Sequence, residues 1–384
     1  MSSFLIENCR LHDADEPSTR RSILVLDGRI QTVGEATTTQ RVDQVLDAQG
    51  RIAAPGFLDV HIQGAGGADV LDATPEALQT ISRTCARFGV TGFLATTVYK
   101  PGQENRHLDL AADHVGRDLG GAELLGVHLE GPFISSQKRG MIQPDCIGNA
   151  AERTLERIVA QLDGTLKMMT LAPELPGAEA VIRALATNGA VPALGHSNAT
   201  YDEAAQGFQW GITHVTHLFN AMPSLHHREP GPLTAIFERP EITCQVITDG
   251  VHIHPSVVRL AYHALGADRF VTITDAMQAM GLPDGRYTYN DITYESREGT
   301  ARYEDGTLIG TALGLNQIVA RLMHFTGCPL PEAIRTVTEN AALILGLENR
   351  KGRIEPGWDA DLVLLDDDLS VHTTLVGGRI VYQR

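Results

Sequence analysis

Eight short apolar runs, each followed by a stretch with helical spacing, constrain the fold of this chain more than any other feature. They lie at 57–62, 91–97, 124–130, 166–172, 190–196, 212–219, 244–250 and 270–276. Near-continuous apolar runs are the mark of strands buried on both faces, as in parallel sheets covered by helices. The segments between them, such as PEALQTISRTCARFG and PSVVRLAYHALG, carry apolar residues at helical spacing and end at or near glycine. Eight such units over about 290 residues is the count of a closed (β/α)8 barrel, an α/β fold. An open doubly wound sheet is the alternative, but the chain has no glycine-rich dinucleotide fingerprint.

Both ends read differently. SILVLDGRIQTVG alternates apolar and polar residues and turns at Asp27-Gly28, a hairpin signal. The last residues, DLVLLDDDLSVHTTLVGGRIVYQR, have the same strand character. The expected organisation is a barrel over 55–348 and one small β domain assembled from 1–54 and 349–384. Two further helices are expected near 311–327 and 331–346.

The formal net charge is −16, which would repel nucleic acid and anionic membranes. An anionic small substrate would need a local basic group. The five cysteines are odd in number and widely spaced, which argues for a reducing compartment and no disulfide framework. The N-terminal residues lack a basic segment followed by an apolar one, and no run of 18 apolar residues occurs, so a cytoplasmic protein is expected.

A barrel of this kind does its chemistry where the strands end. Strand one ends at His61 and Gln63, strand three at Glu130, and strand five at His196. Strand six carries His214 and His217, strand seven leads to Asp249 and His252, and strand eight ends at Asp275. A lone histidine at a strand end is more often a structural residue than a ligand. The set says more: Glu130, His196 and His217 supply one carboxylate and two imidazoles, a mixture suited to Zn²⁺ or Fe²⁺ with a position left for water. Asp275 is then placed to exchange a proton with that water. In His252-Ile253-His254, before Pro255, we read His252 as a substrate contact and His254 as structural. Glu174 reads as a carboxylate closing a loop. Arg228 either pairs with Glu229 at the surface or, with His226 and His227 beside it, holds a phosphate.

Taken together, PGFLDVHIQGAGG, HLEGPF, GHSNAT, THLFNAMP, REPG, TDGVHIH, TDA and DGTLIG resemble the N-acetylglucosamine-6-phosphate deacetylases of the amidohydrolase superfamily. The match runs in order through nearly the whole chain. The resemblance implies a TIM-like barrel with a β-sandwich built from both termini. It implies Glu130, His196 and His217 as metal ligands and Asp275 as the catalytic acid–base. Substrate contacts would fall on Met141, Asn220, Ala221, Arg228, His252, Leu308, Ile309 and Gly310. A homodimer or homotetramer is implied, with one divalent metal per subunit, Zn²⁺ or Fe²⁺. Some relatives carry His-x-His after strand one and bind two metals; here Gln63 takes the second position, so only weak occupancy is expected beside His61. Met141-Ile142 stands where some relatives have a polar or histidine-containing pair. The alternatives are the galacto epimer of the substrate, a cyclic-amide hydrolase, which would more often show His-x-His and a bridging lysine, and a non-catalytic sugar-phosphate-binding barrel.

Overall fold

A computed structural model describes residues 3–14, 19–34 and 42–384. All eight apolar runs form strands: β1 (Phe57–Ile62), β2 (Val90–Thr97), β3 (Glu123–Glu130), β4 (Leu166–Leu171), β5 (Val191–Leu194), β6 (His214–Val215), β7 (Thr243–Val246) and β8 (Phe270–Thr272). They pair in sequence order, all in parallel. Closure between β1 and β8 comes just past the end of β8: Asp275 N donates to the His61 carbonyl at 3.0 Å, and Gln63 N to the Ala276 carbonyl at 3.0 Å. The seam of the barrel therefore runs between two residues of the expected site.

The helices start where the sequence provides caps. Thr74 caps Pro75–Arg87, and Thr200 with Glu203 makes a capping box for Tyr201–Trp210. Each buries one apolar face against the strands, and the resulting core runs continuously around the barrel.

The termini share one sheet. Its strands run in the order Arg379–Gln383, Val371–Val376, Leu362–Leu365, Ile52–Pro55, Ser3–Leu11, Arg21–Leu26 and Arg29–Gly34, with Gln44–Asp47 beside Ser3–Leu11. Residues from both ends, including Ile6, Ile23, Val25, Leu362, Leu364 and Leu375, fill its core. The hairpin turn is at Asp27 and Gly28, both with positive φ, at 48° and 78°.

Two details depart from the sequence reading. After β8 the chain makes a four-stranded antiparallel sheet, Gly285–Tyr289, Ile292–Arg297, Thr300–Tyr303 and Leu308–Thr311. The first extra helix accordingly starts at Leu315 rather than 311. The second is divided into Leu330–Arg335 and Glu339–Ile344. The Thr336 and Thr338 hydroxyls donate at 2.7 Å to the carbonyls of Ala333 and Ile334, competing with helix propagation there.

Candidate active site

The ends of β3, β5 and β6 bring three side chains to one point. Glu130 Oε1 lies 2.9 Å from His196 Nε2 and 3.0 Å from His217 Nε2, and the two nitrogens are 3.1 Å apart. All three residues are buried. A tetrahedral ion with bonds of about 2.1 Å holds its ligand atoms about 3.4 Å apart, so this triangle fits such an ion with small adjustments. Among the described residues, it is also the one group of three or more His, Cys, Asp or Glu side chains whose ligand atoms cluster this closely.

The hydrogen placement supports the same reading. His196 Nδ1 donates to the Lys138 carbonyl at 2.8 Å, which leaves Nε2 as a lone pair aimed at the carboxylate. A lone pair facing a carboxylate oxygen at 2.9 Å is repulsive unless positive charge lies between them. The buried carboxylate asks for positive charge as well. Burial alone would raise Glu130, but His61, His196 and His217 reverse this and hold it well below the usual carboxylate range. Burial alone would lower His217, yet Glu130 and Asp275 raise it. The centre favours a cation.

His61 and Asp275 stand beside this triangle. His61 Nε2 is 3.7 Å from Glu130 Oε1 and 3.3 Å from Asp275 Oδ1. His61 Nδ1 donates to Gln245 Oε1 at 2.9 Å, so its Nε2 is bare as well. Gln63 Nε2 donates to Glu130 Oε2 at 3.2 Å, so the amide orients the carboxylate. His61 Nε2, Asp275 Oδ1, Gln63 Oε1 and His217 Nδ1 are buried polar atoms without a hydrogen-bond partner. His214 is separate from the centre: it bonds Thr243 Oγ1 at 2.7 Å, and burial, with His61 nearby, lowers it to about 3.

Backbone strain gathers at the same place. His196, His217, Ala221 and Asp275 have φ of 48°, 27°, 52° and 48°, a region non-glycine residues rarely enter. Gly310 is required by contact: a Cβ there would sit 2.5 Å from the Asp275 carbonyl oxygen. Thr311 N donates to that same oxygen at 2.8 Å. The extra sheet thus presses Gly310 and Thr311 against the end of β8.

Of the other expected contacts, Asn220 and Ala221 bond to residues at or beside the triangle. Met141 is buried and packs with Ile309, Met277 and Tyr289, tying the loop after β3 to the extra sheet. Asn220 N bonds the His217 carbonyl at 3.0 Å, and the Ala221 carbonyl accepts from Ser197 N at 3.2 Å. His252 is held by Asp249, with Nδ1 2.7 Å from Oδ2. His254 caps the helix Pro255–Leu265. Glu174 accepts from Ser197 Oγ at 2.7 Å and Asn198 N at 2.6 Å, closing a loop next to His196. Arg228 is exposed and donates to His227 Nε2 at 2.7 Å.

Supporting groups that the sequence reading missed are Gln245, the Lys138 carbonyl and Gly140, where a Cβ would lie 3.2 Å from His196 Cε1. The glycine in KRG was the one signal available for the last two. Gln245 looks like any polar residue in a strand.

Comparison with known proteins agrees with this geometry. The amidohydrolase family model matches residues 52–381. N-acetylglucosamine-6-phosphate deacetylase from Lysinibacillus sphaericus is 34% identical over 385 residues, covering 99% of this chain and 98% of that one. N-acetylgalactosamine-6-phosphate deacetylase from Escherichia coli O157:H7 is 34% identical over 337 residues, covering 88% and 89%. The structure of N-acetyl-D-glucosamine-6-phosphate deacetylase from Mycobacterium smegmatis, in complex with N-acetyl-D-glucosamine-6-phosphate, superposes with a TM-score of 0.90 at 31% identity, covering 100% of both chains. The chain belongs to the amidohydrolase family, as a relative of its N-acetylglucosamine-6-phosphate deacetylases.

Proposed function

We infer that this protein hydrolyses N-acetyl-D-glucosamine 6-phosphate to D-glucosamine 6-phosphate and acetate. The observation that carries the reading is the triangle of Glu130, His196 and His217 beside Asp275, in a chain similar over its full length to deacetylases of that substrate.

Glu130, His196 and His217 would hold one divalent metal, Zn²⁺ or Fe²⁺. When bound, such an ion polarises a carbonyl and brings the pKa of a water down to about 7. The remaining work belongs to the chain. Asp275 takes a proton from the attacking water and returns it to the leaving amine, so one carboxylate serves as base and then acid. His252, in the loop after β7, contacts the substrate. Asn220, Ala221 and the main chain of Met141 and Leu308–Gly310 hold the sugar, and Arg228 holds the phosphate with its planar fork. The Gln63 amide, bonded to Glu130, is a poor ligand beside His61, which supports a single firmly held metal. In cells the protein would act in amino-sugar breakdown in the cytoplasm as a homodimer or homotetramer. No described helix is long and apolar enough to cross a membrane.

Acetate release from the gluco phosphate, lost on chelation and restored by Zn²⁺ or Fe²⁺, tests this reading. No release from metal-loaded protein would refute it. A second reading, the galacto epimer, is favoured by the E. coli relative, and assaying both epimers decides between them.

A further inference from the structure

The loop after β7 holds a carboxylate, Asp249, that the chemistry above does not use. Asp249 is 2% exposed, and both of its oxygens are committed. Oδ1 accepts from Val251 N and His252 N, each at 2.9 Å, which builds the turn. Oδ2 accepts from His252 Nδ1 at 2.7 Å. The Asp249 carbonyl is fixed in turn by Arg321 Nη1 at 2.5 Å, so the pair is anchored to the helix Leu315–Thr326. Burial would raise Asp249, but the bond and charge of His252, with the Val251 and His252 amides, leave it lowered: it is a carboxylate that can only accept. An acceptor facing Nδ1 requires the proton to be there. The His252 side chain is 5% exposed, and among the described residues its Nε2 makes no hydrogen bond.

We propose that Asp249 is a positioning residue for the reaction: it fixes the His252 proton on Nδ1 and so turns Nε2, held at a set angle, toward the substrate. This rests on the reading of His252 as a substrate contact. The two oxygens have separable jobs. The turn needs only Oδ1, whereas the imidazole needs Oδ2. Asp249→Asn can keep the turn with its amide oxygen and place an NH₂ donor against Nδ1. A donor facing a donor forces the ring to move its proton to Nε2 or to rotate.

The test combines kinetics with ¹⁵N NMR of histidine-labelled, metal-loaded full-length protein. The His252 signals are identified by their absence in His252→Gln. In the wild type, without substrate, His252 is expected to be protonated at Nδ1, and in Asp249→Asn that state is lost. With N-acetylglucosamine 6-phosphate, Asp249→Asn is expected to lower kcat/KM by roughly 10- to 100-fold, the usual effect of losing a supporting partner. In a His252→Gln background the same change should cost less than about 3-fold, because Asp249 then has no ring to orient. A turn-building role alone would give equal losses in both backgrounds. Equal losses, or a wild-type His252 protonated at Nε2, overturns the proposal. If the substrate reading itself fails, no deacetylation is seen with any variant, while the NMR result still decides whether Asp249 sets the proton of His252.

Discussion

Strand β3 carries a carboxylate at each end, half-buried Glu123 and buried Glu130, and the two are treated in opposite ways. At the foot of the barrel, Glu123 meets Lys351, which is 3% exposed, at 2.8 Å. Lys351 also meets Asp361 at 2.5 Å and Asp359 at 3.6 Å, Gly377 N donates to Asp361, and Arg350 flanks Asp359. Every charge there is answered by another, and the cluster joins the barrel to the β domain. At the mouth, Glu130 sits among groups whose polar atoms are left without partners. Buried polar atoms are normally satisfied, because leaving one unpaired costs about 1–3 kcal/mol. The foot obeys that rule and holds the fold together. The mouth breaks it, and bends several backbones into the left-handed region as well, as a centre that takes the proposed metal and substrate would.

The contrast breaks most sharply at Asp275. Asp275→Asn is expected to lower kcat by roughly 10³-fold, within the range of general acid–base catalysis, while metal content and melting temperature stay near the wild-type values. Turnover within a few fold of wild type would remove Asp275 from its role. Lys351→Met should do the reverse. It leaves buried Asp361, and half-buried Glu123 beside it, without their cation and should cost about 3–5 kcal/mol of stability, read by denaturant unfolding, with little change in activity per folded molecule. A smaller effect is expected at the rim. Arg228→Ala should raise KM for the phosphorylated sugar by about 10-fold, near 1.4 kcal/mol, and leave kcat alone. An unchanged KM would mean that another group binds the phosphate. The smallest effect belongs to Gln63→His, which restores the His-x-His pattern. It should raise the metal count above one per chain and leave the melting temperature within a few degrees; an unaltered count would show that Gln63 does not limit the second position.

Much of this was legible in the sequence, for physical reasons. Parallel barrel strands are buried on both faces, so they announce themselves as apolar runs, and their C-terminal ends are where polar residues interrupt those runs. Glu130, His196, His217 and Asp275 therefore stood out as candidates by position, together with His61, His214 and His252, and the choice among them came from the donor set and the resemblance. The Asp27-Gly28 hairpin was visible because a tight two-residue turn demands that chemistry. The extra sheet after β8 was legible but went unread: Asn290 and Asp291, both with positive φ, form a two-residue turn between Gly285–Tyr289 and Ile292–Arg297, yet two flanking strands rich in polar residues do not resemble barrel strands. What could not be read are the partnerships. That Gln245 sets the tautomer of His61, or that the Lys138 carbonyl sets that of His196, depends on contacts between residues far apart in sequence. Periodicity carries no record of such contacts.

The most direct test of the account is acetate release by protein of counted metal content, given N-acetylglucosamine 6-phosphate, its galacto epimer and the unphosphorylated sugar. The account predicts one firmly held metal per chain and fast release from the gluco phosphate, abolished by chelation and restored by Zn²⁺ or Fe²⁺. Metal-loaded protein that releases no acetate from any of the three would contradict it.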